Sequence, residues 1–267
     1  MDILEFLQFP FMQRALIAGI LLGVLLASLG IFVTLRRMAF FGEGIAHASL
    51  AGIAIAVLAG LNPLPVAIVW SIILAFLIFV LEQKTKLPID TVIGIFFTSA
   101  MALGVVLMNF TTGYQPELMS FLFGSILSVS FADLITIAIS TIVIITWLIF
   151  SRRQITFLSL SEEQAIVSGV PVRLQTAALY VALAIATVLG VKILGIILVS
   201  ALLIIPPAIS RLHAKSFRSH LILAVLFSEI IIVLGLALSF FFDLPSGATI
   251  ILVGAFLFLF LLLFSSQ

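Results

Sequence analysis

Residues 15–37 read ALIAGILLGVLLASLGIFVTLRR, an uncharged run from Ala15 to Leu35 closed by Arg36 and Arg37. A helix needs roughly 20 apolar residues to cross a bilayer core about 30 Å thick. This stretch therefore reads as one membrane span, with its basic end held at the cytoplasmic surface. The pattern recurs along the chain. Candidate spans fall at 12–35, 43–60, 64–82, 91–110, 132–150, 174–191, 193–210, 220–241 and 247–264. In the 174–210 region only Gly190-Val191-Lys192 separates two spans, so a re-entrant or broken helix is an open alternative there and the count is eight to nine.

Composition agrees. The chain of 267 residues is 64% hydrophobic and 9% charged, with a mean hydropathy of +1.44. Soluble domains are typically about 45–50% apolar and about 25% charged. The expected fold is an all-α polytopic membrane protein, one domain over 1–267, with little material for a soluble domain. The absence of cysteine excludes disulfides, thiolate metal sites and Cys nucleophiles. The acidic start, Met1-Asp2-Ile3-Leu4-Glu5, lacks the basic region of a cleavable signal, so the first hydrophobic helix is expected to be retained.

Basic residues set an orientation. With Arg152 and Arg153 in the cytoplasm and strict alternation, ten of the twelve basic residues fall inside: Arg36, Arg37, Lys84, Lys86, Arg152, Arg153, Arg173, Arg211, Lys215 and Arg218. Only Arg14 and Lys192 fall outside. The expectation is an outside N-terminus and a cytoplasmic C-terminus. The stretch Gly113–Gly124, too apolar for a loop and too short to cross, reads as a helix dipping into the outer leaflet.

Chemistry concentrates in the second span, at Gly42-Glu43-Gly44-Ile45-Ala46-His47-Ala48. Ionisable residues inside spans are costly and usually functional. Glu43 and His47 are four residues apart and share one helix face. A carboxylate and an imidazole suit a divalent transition metal, and the small neighbours leave room for an ion and its waters. With the span's cytoplasmic end near Arg37, His47 would lie ten residues in, about 15 Å deep and near the midplane. Two ligands hold a metal weakly, which suits a station on a path; a second copy of the chain or other helices would complete the site. Each group could instead be a hydrogen-bonded core residue.

Glu229, in the eighth span, has no basic partner at helical spacing and is either a pathway residue or a protonated, hydrogen-bonded group. His213 and His220 flank the basic turn Arg211–Arg218 and read as part of a solvated, orientation-setting loop. Pro206-Pro207 should bend the seventh span. Gly19 and Gly23 read as ordinary close packing rather than a dimer interface. In the long cytoplasmic loop, Ser161 followed by Glu162 and Glu163 starts a short helix that Gly169 and Pro171 end. No P-loop, zinc-protease or hydrolase motif occurs.

Several stretches, in order, resemble the permease subunit of prokaryotic ABC importers for zinc, manganese or iron: RMAFFGEGIAHASLAG (37–52), 91–104, LMSFLFGSILSVSFAD (118–133), 163–169, VKILGIILVSALLIIPP (191–207) and DLPSGATIIL (243–252). The resemblance implies a type II importer-like permease that is not itself an enzyme and holds no permanent cofactor. It implies Zn²⁺ or Mn²⁺ as transported substrate, Fe²⁺ being the third candidate. The implied partners are two cytoplasmic ATPase subunits, an extracytoplasmic metal-binding protein, a second permease copy and membrane lipid, but no nucleic acid. It implies a coupling helix near 159–170, with Glu162, Glu163, Gln164, Ala165 and Gly169 facing the ATPase, and it places Glu43 and His47 on the metal path. Glu229 and Asp243 are further pathway candidates. The common pattern has Asp at position 43, Ser at 46 and Pro at 51, so Glu43, Ala46 and Ala51 depart from it. A secondary transporter or channel needing no ATPase, and a metal-dependent intramembrane enzyme, are the competing classes.

Overall fold

A computed structural model describes residues 9–85, 87–110 and 129–264. Ten helices run through them: α1 (Pro10–Leu35), α2 (Phe41–Ala59), α3 (Pro63–Lys84), α4 (Ile89–Met108), α5 (Phe131–Leu160), α6 (Glu162–Val167), α7 (Val172–Leu194), α8 (Ile196–His213), α9 (Phe217–Phe242) and α10 (Ser246–Phe264). All but α6 are long and apolar enough to cross a membrane, which makes nine candidate spans among the described residues. The dipping helix expected at 113–124 lies outside them.

The region expected to be ambiguous contains two full helices. The break falls at Gly195, with φ of 80°, rather than at Gly190-Val191-Lys192. Gly190 stays helical because its missing side chain is what α8 needs: a Cβ there would stand 2.6 Å from Val199 Cγ2. A left-handed glycine at 195 then turns the chain back on itself. Two crossings restore the odd count that the basic-residue bias requires.

Long-range polar contacts fix which helix ends lie together. Arg36, capping α1, meets Glu82 at the end of α3, with Nη2 to Oε1 at 3.8 Å. Lys192, at the end of α7, meets Asp133, at the start of α5, at 2.5 Å. The first pair and α6 mark one end of the bundle; the second pair and the α9–α10 turn mark the other. Lys192, one of only two basic residues on the expected outer side, is therefore ion-paired. Asp133 also completes a capping box with Ser130, accepting from its backbone N–H at 3.1 Å and its hydroxyl at 2.7 Å.

Burial is graded outward. α1, α2 and α7 are mostly buried, whereas α10 is mostly exposed. α2, α3 and α4 pack together on one flank and α8, α9 and α10 on the other, with α1 and α7 between them and α5 laid across both. The outer helices expose Val69, Phe76, Ile142, Phe150 and Phe256, an apolar exterior that suits lipid. Lipid offers no hydrophobic gain for helix association, so close packing and polar clamps hold such a bundle together. Gly30 shows the first. Pro207 lacks the N–H that would bond Leu203 O, and α1 comes so near that a Cβ on Gly30 would sit 2.1 Å from that oxygen. The glycine Cα–H lies against the freed carbonyl. The proline pair thus sits within a continuous α8 and serves the α1–α8 contact. Gly19 and Gly23 receive Ile232 of α9, and the Ser228 hydroxyl donates to Gly23 O at 3.2 Å. Their spacing serves packing within one chain, as expected.

Candidate functional site

Arg37 turns left-handed, with φ of 57°, and the chain leaves α1 for a four-residue corner. α2 starts at Phe41 rather than near Arg37. His47 lies six residues into the helix, so its rise from the helix start is about 9 Å at 1.5 Å per residue. His47 is thus nearer the helix start than a count from Arg37 gives, because Arg37–Phe40 form the corner and not helix. Glu43 falls in the first turn and His47 one turn on.

The helix is held by its small residues. Gly44 lies so close to α4 that a Cβ would be 2.5 Å from Ile93 Cγ2, and Gly42 lies equally close to Leu203 of α8. The Trp70 indole of α3 donates to Ala48 O at 3.0 Å. Gly42, Gly44, Ala46 and Ala48 are buried, so the remaining face points outward. Glu43 is exposed and His47 half-buried on that face, which keeps both off the interior of the chain. The His47 ring packs on Phe97 of α4, with centroids 5.3 Å apart, which restricts the imidazole without using either nitrogen.

Among the described residues neither side chain has a hydrogen-bond or ion-pair partner, and no third His, Asp or Glu joins them. At i,i+4 their Cβ atoms are about 5–6 Å apart, so both can reach one ion. One chain thus presents two unsatisfied ligands on its outer surface. A carboxylate and an imidazole so placed offer two of the about four ligands that Zn²⁺ prefers.

The other candidates lie elsewhere. Glu229 sits in the α1–α9 seam, its carboxyl beside Gly23; both oxygens are shielded and without a hydrogen-bond partner. α9 packs on α1, α8 and α10, so the fold does not bring Glu229 to the outward stripe of α2. Asp243 caps α9 in a left-handed conformation at the opposite end of the bundle from Glu43. His213 is exposed in the basic turn. His220 departs from expectation: it is buried, with Nδ1 2.5 Å from the Ser210 hydroxyl, because α8 and α9 close over it.

α6 matches the sequence. The Ser161 hydroxyl accepts from Gln164 N at 3.3 Å, and Gly169, with φ of 73°, ends the turn. Ala165 alone is buried, packed with Leu158 and Val172. Glu162, Glu163, Gln164 and Gly169 are exposed, and beside them stand Ile166 at 60% and Val167 at 89% exposure. An apolar face left open on a polar helix invites a partner.

Sequence reading missed a polar cluster beneath α2. Arg36 reaches Thr176 Oγ1 at 3.3 Å and lies 5.6 Å over the Tyr180 ring, while the Tyr180 hydroxyl donates to Glu82 at 2.7 Å. Its members are as many as 144 positions apart, so no local pattern announces it. The acid at the end of the third span was the only available signal.

Fold and site define a class: an all-helical, multi-pass membrane protein with an outward-facing Glu43–His47 pair and a short helix at the same end. The chain belongs to the ABC 3 transport family, whose model matches residues 8–265. It is 34% identical over 251 residues to the high-affinity zinc uptake system membrane protein ZnuB of Haemophilus influenzae, covering 94% of this chain and 96% of that one. It is 35% identical over 264 residues to the manganese transport system membrane protein MntC of Halalkalibacterium halodurans, covering 98% and 90%. A solved structure, PsaBC from Streptococcus pneumoniae in complex with Fab, superposes with a TM-score of 0.85 at 32% identity over 97% of this chain and 95% of that one.

Proposed function

We propose that the chain is the membrane permease of an ATP-binding cassette importer for divalent transition metals, forming a single transmembrane domain over 1–267. Metal uptake is supported by relatives named for zinc and for manganese. Zn²⁺ is favoured because imidazole suits it, with Mn²⁺ and Fe²⁺ next. The observation that carries the reading is the Glu43–His47 pair, two metal-competent side chains without partners among the described residues, on the outward face of an otherwise packed α2. Incomplete coordination suits a transient site, because an ion that must leave cannot be fully caged.

A second copy facing this stripe would supply a matching pair and bring the ligand count to the about four that Zn²⁺ prefers. ATP hydrolysis belongs to separate cytoplasmic subunits, which dock on α6 through Glu162, Glu163, Gln164 and Gly169, with Ala165 anchoring the helix to the bundle. An extracytoplasmic metal-binding protein delivers the ion at the opposite end. The protein lies in the bacterial plasma membrane with its N-terminus outside and C-terminus inside, in line with the basic-residue bias. Glu229 and Asp243 are left off the path: one sits in a different seam and the other serves as a helix cap. The ATP-independent transporter is disfavoured by membership of an ABC family.

The test is Zn²⁺ and Mn²⁺ uptake by cells expressing Glu43→Ala or His47→Ala permease at normal levels. Uptake should fall to that of cells lacking the permease; wild-type rates would sink the metal site. Flux through the purified chain alone in liposomes, without ATP or partner, would instead favour the secondary transporter.

A further inference from the structure

The polar cluster beneath α2 is unused by the reading above, and its placement gives it a task. Val172, Thr176 and Tyr180 recur every four residues and form one stripe along α7. Each meets a different part of the molecule. Val172 packs on Ala165 of α6, together with Leu158. Thr176 accepts from Arg36, the residue that ends α1. Tyr180, fully buried, donates to Glu82 of α3 at 2.7 Å and packs on Phe41, the first residue of α2, with ring centroids 5.1 Å apart. Glu43 lies two residues beyond Phe41. One stripe of α7 therefore touches the exposed short helix at one end and the foundation of the ligand pair at the other.

We propose that Tyr180, with Arg36 and Glu82, is a positioning network that carries displacement of α6 to the α1–α2 corner and so sets where Glu43 and His47 stand. The inference rests on the reading of α6 as the ATPase contact and of the pair as the metal site. Physically, among the described residues α6 packs chiefly on α5 and α7. A push on α6 therefore reaches the rest of the bundle through those two helices. On α7 it meets Val172, on the stripe that leads to the buried, hydrogen-bonded Tyr180. Arg36 ties the same stripe to α1 by charge and by stacking, so the corner between α1 and α2 moves with α7. None of the three residues touches the ion.

The experiment uses the whole importer, permease with its ATPase and binding protein, in proteoliposomes, with Zn²⁺ uptake and ATP hydrolysis measured together. Tyr180→Phe keeps the ring on Phe41 and removes only the hydroxyl. Zn²⁺ imported per ATP hydrolysed should fall about tenfold, the scale expected for a residue in a coupling network. The KM for Zn²⁺ should stay at the wild-type value. Glu82→Gln should act alike, and Arg36→Lys should retain more coupling than Arg36→Gln. Unchanged uptake per ATP in both Tyr180→Phe and Glu82→Gln would overturn the proposal. So would a loss of uptake that tracks a loss of assembled complex on size-exclusion, which is what a merely structural cluster would give. Glu43→Ala and His47→Ala separate the two readings. If they abolish uptake while the network variants stay coupled, the network fails alone. If they transport normally, the metal site fails, and with it the claim that the network acts on those two residues.

Discussion

A carboxylate arm one methylene longer than the common pattern stands at position 43, on a first turn whose neighbours are small. Length at this position changes where the carboxylate would stand relative to an ion shared with His47. Glu43→Asp is expected to alter the ratio of Zn²⁺ to Mn²⁺ uptake while preserving transport, because the imidazole and the face are unchanged. An unaltered ratio in a two-metal competition assay would remove position 43 from the account of selectivity. The same residue scale governs packing. At Gly30 even a methyl group collides with the backbone oxygen of Leu203, which cannot rotate away. Gly30→Ala should destabilise the fold by about 1–3 kcal/mol, the usual range for an overpacked core, read as a lower apparent Tm of the detergent-purified chain. Glu229→Gln should leave Zn²⁺ uptake close to wild type, since its carboxyl lies in the α1–α9 seam away from the pair; abolished uptake with intact folding would return Glu229 to the pathway.

At the scale of elements, α6 has a clear division of labour. One residue anchors it, one caps it, and the rest face outward. Ser161→Ala removes the cap that Gln164 N uses, a loss of about 1 kcal/mol for such caps. A helix of six residues has little to offset that. Coupling of ATP hydrolysis to Zn²⁺ uptake should weaken. Val167→Asp places a charge on the most exposed apolar position of α6. It should reduce co-purification of the ATPase without changing the Tm of the permease, and undiminished co-purification would argue that the partner docks elsewhere. The α7–α8 hairpin shows where element boundaries escaped the sequence. Gly190 and Gly195 are both glycines near a hydrophobic junction. Only the backbone reveals that the first receives Val199 and the second makes the turn.

At the scale of the whole molecule, two ion pairs and the alternation of helices put Glu43, α6 and the basic α8–α9 turn at one end, and Asp133, Lys192 and Asp243 at the other. The chain has no cysteine, so topology is directly testable with single introduced thiols. In intact cells stripped of any outer barrier, a membrane-impermeant maleimide should label the Asp243→Cys variant and spare the Lys215→Cys variant. The reverse pattern would invert the orientation. Spans, the α6 cap and the Glu43–His47 face were legible in the sequence because each depends on local properties: residue hydropathy, a capping hydroxyl, the 3.6-residue repeat. The corner at Arg37–Phe40 was not legible because it is set by how α1 meets α7 and α3. His220 was taken for a solvated residue because its burial depends on α8 folding over α9.

By itself, then, the sequence determined that the chain crosses a membrane many times and carries a metal-competent pair on one helix face, since bilayer thickness and helical period act on neighbouring residues. Which face of α2 looks outward, that Glu229 lies apart from the pair, and that Arg36, Glu82 and Tyr180 meet beneath it were decided only by the tertiary structure. Those relations join residues about a hundred positions apart. They follow from which helices pack closely enough to exclude lipid, and no local pattern encodes that.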